Sequence, residues 1–363
     1  MRMKISSILF IVSLIYFAAC SAQTTHSSIQ PTADQIDAAG DTVQKLGKHL
    51  WYIFQDSKGN YWFASNGEGV YRYDGKYILR YTKKEGLSSD SIRQIQEDRF
   101  GNIYFSTLQG INKFDGSRIT SLHAIPSDDW KLEDDDMWFY MLGKTNEVGP
   151  YRYDGKHLYQ LTLPKHYLHD EFMQRGINPF FSPYEVYSIY KDKQGAMWFG
   201  TSVFGACRFD GKSLKWMYET DITIAPNGGS FGIRSILEDS KGRFWICNTN
   251  QQFEFDFSQS EKSDRLIYKK TKGIPGDATF ENGKTAFYTH MFEQPNGDLW
   301  FVSWVNGVYK FDGKTVQNFK VMDGNETASL VSLYQDHAGV FWAGSTDHGV
   351  FRFNGIAFER FNP

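Results

Sequence analysis

Residues 186–219 read VYSIYKDKQGAMWFGTSVFGACRFDGKSLKWMYE, and this one stretch holds a complete structural unit. VYSIYKD is a strand, and Asp192-x-x-Gly195 suits a type I turn that ends in a left-handed glycine and a bulge. AMWFGTS is a second strand and GACRF a third. Asp210-Gly211 favours the type I′ turn, whose twist matches a two-residue hairpin, and SLKWMYE follows as a fourth strand.

The same unit recurs along the chain. Its anchors are Trp62, Tyr104, Trp138, Trp198, Trp245, Trp300 and Trp342, each within a short apolar run. The first turn returns from Asp56 to Gly59, Asp98 to Gly101, Asp239 to Gly242, Gln294 to Gly297 and Asp336 to Gly339. The second returns at Asp74-Gly75, Asp115-Gly116, Asp154-Gly155, Asp312-Gly313 and Asn354-Gly355. Such a unit cannot bury its apolar face alone and must stack on its neighbours. Residues 49–363 are therefore expected to form an all-β, seven-bladed β-propeller of four-stranded antiparallel blades, with the anchors in the core on second strands. A solenoid would have parallel strands and lack these hairpins. Six blades is the alternative count, because the acidic run from Glu133 to Asp136 stands where the third copy should have its first strand and turn. The fifth copy lacks the Gly turns around Gln251 and Ser258, and the last runs complete to Phe361.

Composition narrows the function. A net charge of −3 supplies no basic field for nucleic acid or an anionic membrane. Aromatics at 17% suit strands buried on both faces. Beyond Cys20 only Cys207 and Cys247 remain; two buried free thiols and a bridge between adjacent blades are both open.

The first residues have the features of a targeting segment. MRMK is basic, ISSILFIVSLIYFAA is apolar and short for a membrane span, and Cys20 follows two alanines. FAAC resembles a bacterial lipobox, with Phe17 where Leu is usual. Residues 1–20 are expected to be a signal peptide with Cys20 as the lipidated residue; cleavage after Ala22 is the alternative. Residues 21–48, rich in Ser, Thr, Gln and Ala, are expected to be a flexible tether with a reach of roughly 30 Å. The protein would then be exported, as a periplasmic or outer-membrane lipoprotein whose membrane contact is the anchor alone.

The unit, with Asp-x-x-Gly-x-Trp-Phe-Gly-Thr followed by Gly-Val-x-Arg-Phe-Asp-Gly, resembles the two-component regulator propeller repeat. The resemblance spans residues 49–363 and is strongest in copies one, four and seven. That family forms the extracytoplasmic sensors of hybrid histidine kinases, many of which respond to oligosaccharides. The resemblance implies a sensor or recognition module in signal transduction. Family sensors also carry a longer propeller array, a β-sandwich, a membrane span and a kinase. This sequence shows none of them, so a separate signalling protein is the expected recipient of any message.

Both turn types fall at one end of such a ring. The other end carries loops that vary from the short 82–91 to the long 163–184 and 270–286, and variable loops on a rigid scaffold are the usual place for recognition. Four and five residues before each turn Asp or Gln, the inner strands offer Trp51 with Tyr52, Arg93 with Gln94, Tyr187 with Ser188, Arg234 with Ser235, Thr289 with His290, and Val331 with Ser332. Loops after the second strands add Asn66, Phe204, Asn250, Trp304, Asp347 and His348. The candidate ligand-binding set is Trp51, Arg93, Tyr187, Arg234, His290, Trp304, Asp347 and His348. Aromatic faces with Arg, Asn and His suit a glycan or small anionic ligand. Inter-blade packing for Trp51 and Tyr187, and ion pairs for the two arginines, are the structural alternatives. His166-x-x-His169 could present two imidazoles to a metal, and Asp128, Asp129 and Asp134 to Asp136 could collect calcium, but a solvated polar segment accounts for each. No cofactor and no catalytic residue are expected. A lyase resembling streptogramin lyase, itself a seven-bladed propeller, and a scaffold in an envelope complex are the rival functions.

Overall fold

The structure, a computed structural model, describes residues 39–142, 149–174, 182–224, 230–274, 287–304 and 306–363. Seven sheets follow one another along the chain as the blades of a β-propeller. In blade 4 the antiparallel strands Val186–Lys191, Met197–Thr201, Ala206–Phe209 and Leu214–Met217 lie in sequence order, inner edge to outer. The turn between the first two has Gly195 at φ +87°, the left-handed conformation that the Asp-x-x-Gly spacing demands.

Each anchor packs into the interface between its own blade and the next. Trp62 joins Ile95, Phe105 and Phe114 of blade 2, while Tyr104 of that blade meets Phe139 and Tyr151 of blade 3. The pattern continues through Trp138, Trp198, Trp245 and Trp300. Trp342 completes the circle against Leu50, Phe63 and Tyr71 of blade 1. Neighbouring blades thus bury one another's faces, as the repeat requires.

The anchors also hold their own turns. Trp62, Trp198, Trp245 and Trp342 each donate an indole N–H to the turn Asp six residues earlier, at 2.8–3.0 Å. The Tyr104 hydroxyl reaches Asp98 at 3.0 Å, and Trp300 reaches Gln294 at 2.7 Å. Burial alone would raise the pKa of Asp98, Asp239 and Asp336, but the converging donors outweigh it and hold all three below the ordinary carboxylate value. A further repeat links blades: Glu97, Glu238, Glu293 and Gln55, each just before a turn, accept the backbone N–H of Ser57, Lys193, Ser240 and His337 in the preceding blade.

Three features depart from the expectation. Blade 3 has no inner strand: its anchor strand Met137–Phe139 is innermost, and Ala124–Ser127 adds in parallel to the outer Leu158–Leu161. Asp136 serves there as the partner of Arg152, at 3.0 Å, and Gln96 of blade 2 donates its amide to the Trp138 carbonyl at 2.7 Å. In blade 5 the missing Gly turn is replaced by the short helix Phe257–Ser260, capped by Asp256. The tether expected over 21–48 ends early, because Asp41–Val43 pairs with Ile78–Tyr81 as a fifth strand of blade 1. Val43 and Leu46 cover the core there, and Asp41 meets Lys84 at 2.8 Å. Cys20 lies outside the described residues, and among these no helix is long and apolar enough to cross a membrane.

Candidate functional site

In blades 1, 2, 4 and 7 the inner strand slips register against its neighbour at one position, namely Trp51, Arg93, Tyr187 and Val331. Each is the residue five before the turn Asp. A β-bulge leaves its extra residue unpaired and re-aims its side chain. The residue before it is wholly buried core (Leu50, Ile92, Leu330) or nearly so (Val186). The bulge thus re-aims one side chain in each of these four blades, at the ring end opposite the turns. In blade 5 the equivalent residue is Arg234, held by a bond from its N–H to the Cys247 sulfur at 3.0 Å.

These side chains converge in pairs. The Arg93 guanidinium lies over the Trp51 ring at 4.6 Å and donates to the Asn66 amide oxygen at 3.0 Å and the Ile92 carbonyl at 3.2 Å. Arg234 lies over the Tyr187 ring at 4.7 Å and donates to the Phe231 carbonyl at 3.0 Å. Gly232, at φ +70°, makes this stack possible, since a Cβ there would stand 2.5 Å from the Tyr187 ring. Burial pulls the Arg93 pKa below its ordinary value. The hydroxyls of Tyr52 and Tyr140 interact with each other, and the charges of Arg93 and Arg234 act on both. The Tyr140 hydroxyl also donates to the Arg93 carbonyl at 3.2 Å. Burial raises the pKa of both tyrosines, keeping them neutral donors. The Trp51 indole nitrogen and the Gln94 amide oxygen are buried there without a hydrogen-bond partner.

The other candidates are placed differently. His290, on the inner strand of blade 6, is accessible to solvent yet surrounded by protein, and this enclosure lowers its pKa to about 4. Trp304 is 39% exposed, on the loop between the second and third strands of blade 6. His348 lies 2.6 Å from Asp347 and 3.0 Å from Glu326, and the Glu326 hydrogen bond, aided by Asp347, raises its pKa. Phe204 is wholly buried, and Val331 and Ser332 are buried, with Ser332 donating to the Trp51 carbonyl at 2.5 Å. His166 packs against Phe204 with ring centroids 4.7 Å apart, its Nδ1 accepts the Leu168 N–H at 3.1 Å, and burial lowers its pKa to about 4. His169 meets the Tyr184 hydroxyl at 2.8 Å. These rings brace the 163–174 segment, and among the described residues no group of three or more His, Cys, Asp or Glu could hold a metal. Cys207 and Cys247 are buried free thiols. Tyr52 and Tyr140 complete the site; Tyr52 was legible from its spacing, whereas nothing in the sequence marked Tyr140.

A concavity lies at the turn end between blades 4 and 5, lined by Leu132, Lys191, Lys212, Phe257 and Glu261 among others. Its arginine, Arg208, is already paired with Asp192 at 2.7 Å.

Residues 181–203 match the family described as two component regulator propeller. The chain resembles the extracellular domain of the hybrid two-component system BT4673 from B. thetaiotaomicron, at 18% identity and a TM-score of 0.56, over 86% of this chain and 39% of that one. It resembles that of BT3049 from the same organism at 17% identity and a TM-score of 0.56, over 84% of this chain and 40% of that one. The chain therefore spans about 40% of the length of those domains. It also resembles virginiamycin B lyase from Staphylococcus aureus, at 14% identity and a TM-score of 0.58, over 86% of this chain and 99% of that one. At such identities the likeness is one of fold. No curated protein matches the sequence.

Proposed function

We propose that this chain, a seven-bladed propeller carrying the two component regulator propeller repeat, is an extracytoplasmic recognition module that binds a glycan or small ligand at the mouth opposite its turns. The observation that carries this reading is the register slip at Trp51, Arg93 and Tyr187, repeated in separate blades. It re-aims aromatic and guanidinium side chains at the ring end opposite the turns, on strands more rigid than loops. Sugars stack on such faces and accept or donate hydrogen bonds at their edges. Export with Cys20 as a lipid anchor would place the mouth outside the cytoplasm, and a separate signalling protein would receive the message.

The experiment is a thermal-shift and calorimetric screen of the protein against oligosaccharides, repeated on Trp51→Ala. A saccharide that binds the protein and loses at least tenfold in affinity with Trp51→Ala supports the reading. Full affinity in the folded variant refutes it.

The fold likeness to virginiamycin B lyase favours a second reading, that of a lyase. Incubation with virginiamycin B followed by mass spectrometry tests it: an opened ring supports the lyase, and unchanged antibiotic refutes it for that substrate.

A further inference from the structure

We propose that the mouth takes an acidic saccharide and clamps its carboxylate or sulfate between Arg93 of blade 2 and Arg234 of blade 5. This rests on the reading of the mouth as the recognition site and adds the charge of what it recognises.

Three arginines are buried among the described residues: Arg93 at 7% exposure, Arg152 at 4% and Arg208 at 6%. Arg152 holds Asp136 at 3.0 Å, and Arg208 holds Asp192 at 2.7 Å. Arg93 has no carboxylate within ion-pair distance among the described residues; its described hydrogen-bond acceptors are a backbone carbonyl and the neutral Asn66 amide. A buried charge without a counter-charge is costly, and proteins ordinarily pair it or neutralise it. The fold supplies that pairing at its two other buried arginines and leaves it open at the mouth. Arg234, half-buried, repeats the pattern: its described acceptor is the Phe231 carbonyl, and its cationic face is taken by the Tyr187 and Phe231 rings.

The two cations address one place. Each is stacked on an aromatic ring contributed by the blade before it, which fixes the planar guanidinium before any ligand arrives. Both stand five residues before the turn Asp of their blade, Asp98 and Asp239, which sets them at the same level of the ring, at the end opposite the turns. An oxyanion between the two guanidiniums meets the arrangement that charge-assisted hydrogen bonding favours.

The test is calorimetry of the protein at low and at moderate salt. The probes are galacturonic acid di- and trisaccharides, a sulfated disaccharide of equal length, and neutral galactose oligosaccharides. An acidic probe should bind at least tenfold more tightly than its neutral counterpart and weaken as salt rises. Arg234→Gln should lose tenfold or more in acidic-probe affinity with little change in melting temperature, the scale of a hydrogen bond to a charged group. Arg234→Lys should recover part of the loss. The uronate and sulfate arms identify which oxyanion is preferred. Neutral probes that bind as tightly as acidic ones, with Arg234→Gln silent, overturn the clamp while leaving the mouth as a recognition site. Acidic probes whose affinity survives both Arg234→Gln and Trp51→Ala bind elsewhere, which overturns both. A folded protein that binds no acidic probe at millimolar concentration overturns the clamp.

Discussion

Replacing Asp192 by Ala tests the physical basis of the repeat at its strongest copy. The Asp192 side chain is wholly buried, at 0% exposure. One carboxylate oxygen accepts the backbone N–H groups of Gln194 and Ala196, at 3.0 and 2.9 Å. The other accepts the Trp198 indole at 2.9 Å and the Arg208 guanidinium at 2.7 Å. Truncation therefore strands a buried guanidinium and a buried indole N–H and frees the turn. Breaking one side of a buried ion pair costs about 3–5 kcal/mol, mostly from the uncompensated charge left behind. For a domain of this size that is a fall of roughly 5–8 °C in melting temperature. Asp192→Asn should recover little, because its amide N–H₂ would face two donors. Asp210 supplies the control, since it caps an exposed hairpin turn through the N–H groups of Lys212 and Ser213 at 2.9 and 2.7 Å. Its loss should cost on the order of 1 kcal/mol. Urea unfolding followed by tryptophan fluorescence measures all three variants. An Asp192→Ala loss no larger than that of Asp210→Ala would refute the view that anchor and turn are one hydrogen-bonded device.

Three more outcomes are expected. His348 has a pKa raised by Glu326 and Asp347, so its contribution to stability is full below the unfolded imidazole value near 6.5 and fades as pH rises through the higher folded value; NMR titration should show the raised pKa, and Glu326→Gln should move it back. The Cys207 and Cys247 thiols are buried, with Cys247 pushed up to about 11, so iodoacetamide should modify them only on unfolding; prompt labelling of the native protein would contradict this. Cys20→Ser should abolish acyl labelling and release the protein from the membrane fraction, and unchanged partitioning would end the lipoprotein expectation.

Much of the ring was legible because its turns have narrow chemical requirements. Asp-x-x-Gly and Asp-Gly permit few alternatives to a hairpin, and their spacing from Trp or Tyr sets strand length and blade number. The position five before each turn pointed to Trp51, Arg93, Tyr187 and Arg234 because strand register carries position faithfully from blade to blade. What the spacing could not show was partnership across blades. Tyr140 enters the site because blade 3 lacks its inner strand, a consequence of Glu133 to Asp136 serving other ends. The loop position of His348 was legible, but its hydrogen bond to Glu326, distant in sequence, was not. Phe204 read as a loop aromatic, but the 163–174 segment folds over it and buries it against His166.

The most direct measurement is a crystal structure of the protein with the tightest-binding saccharide from the screen. The account predicts ligand density at the mouth, stacked near Trp51 or Tyr187, with its acid group about 3 Å from Arg93 and Arg234 nitrogens. Density confined to the turn end, in the cleft lined by Lys191, Lys212 and Phe257, would contradict it.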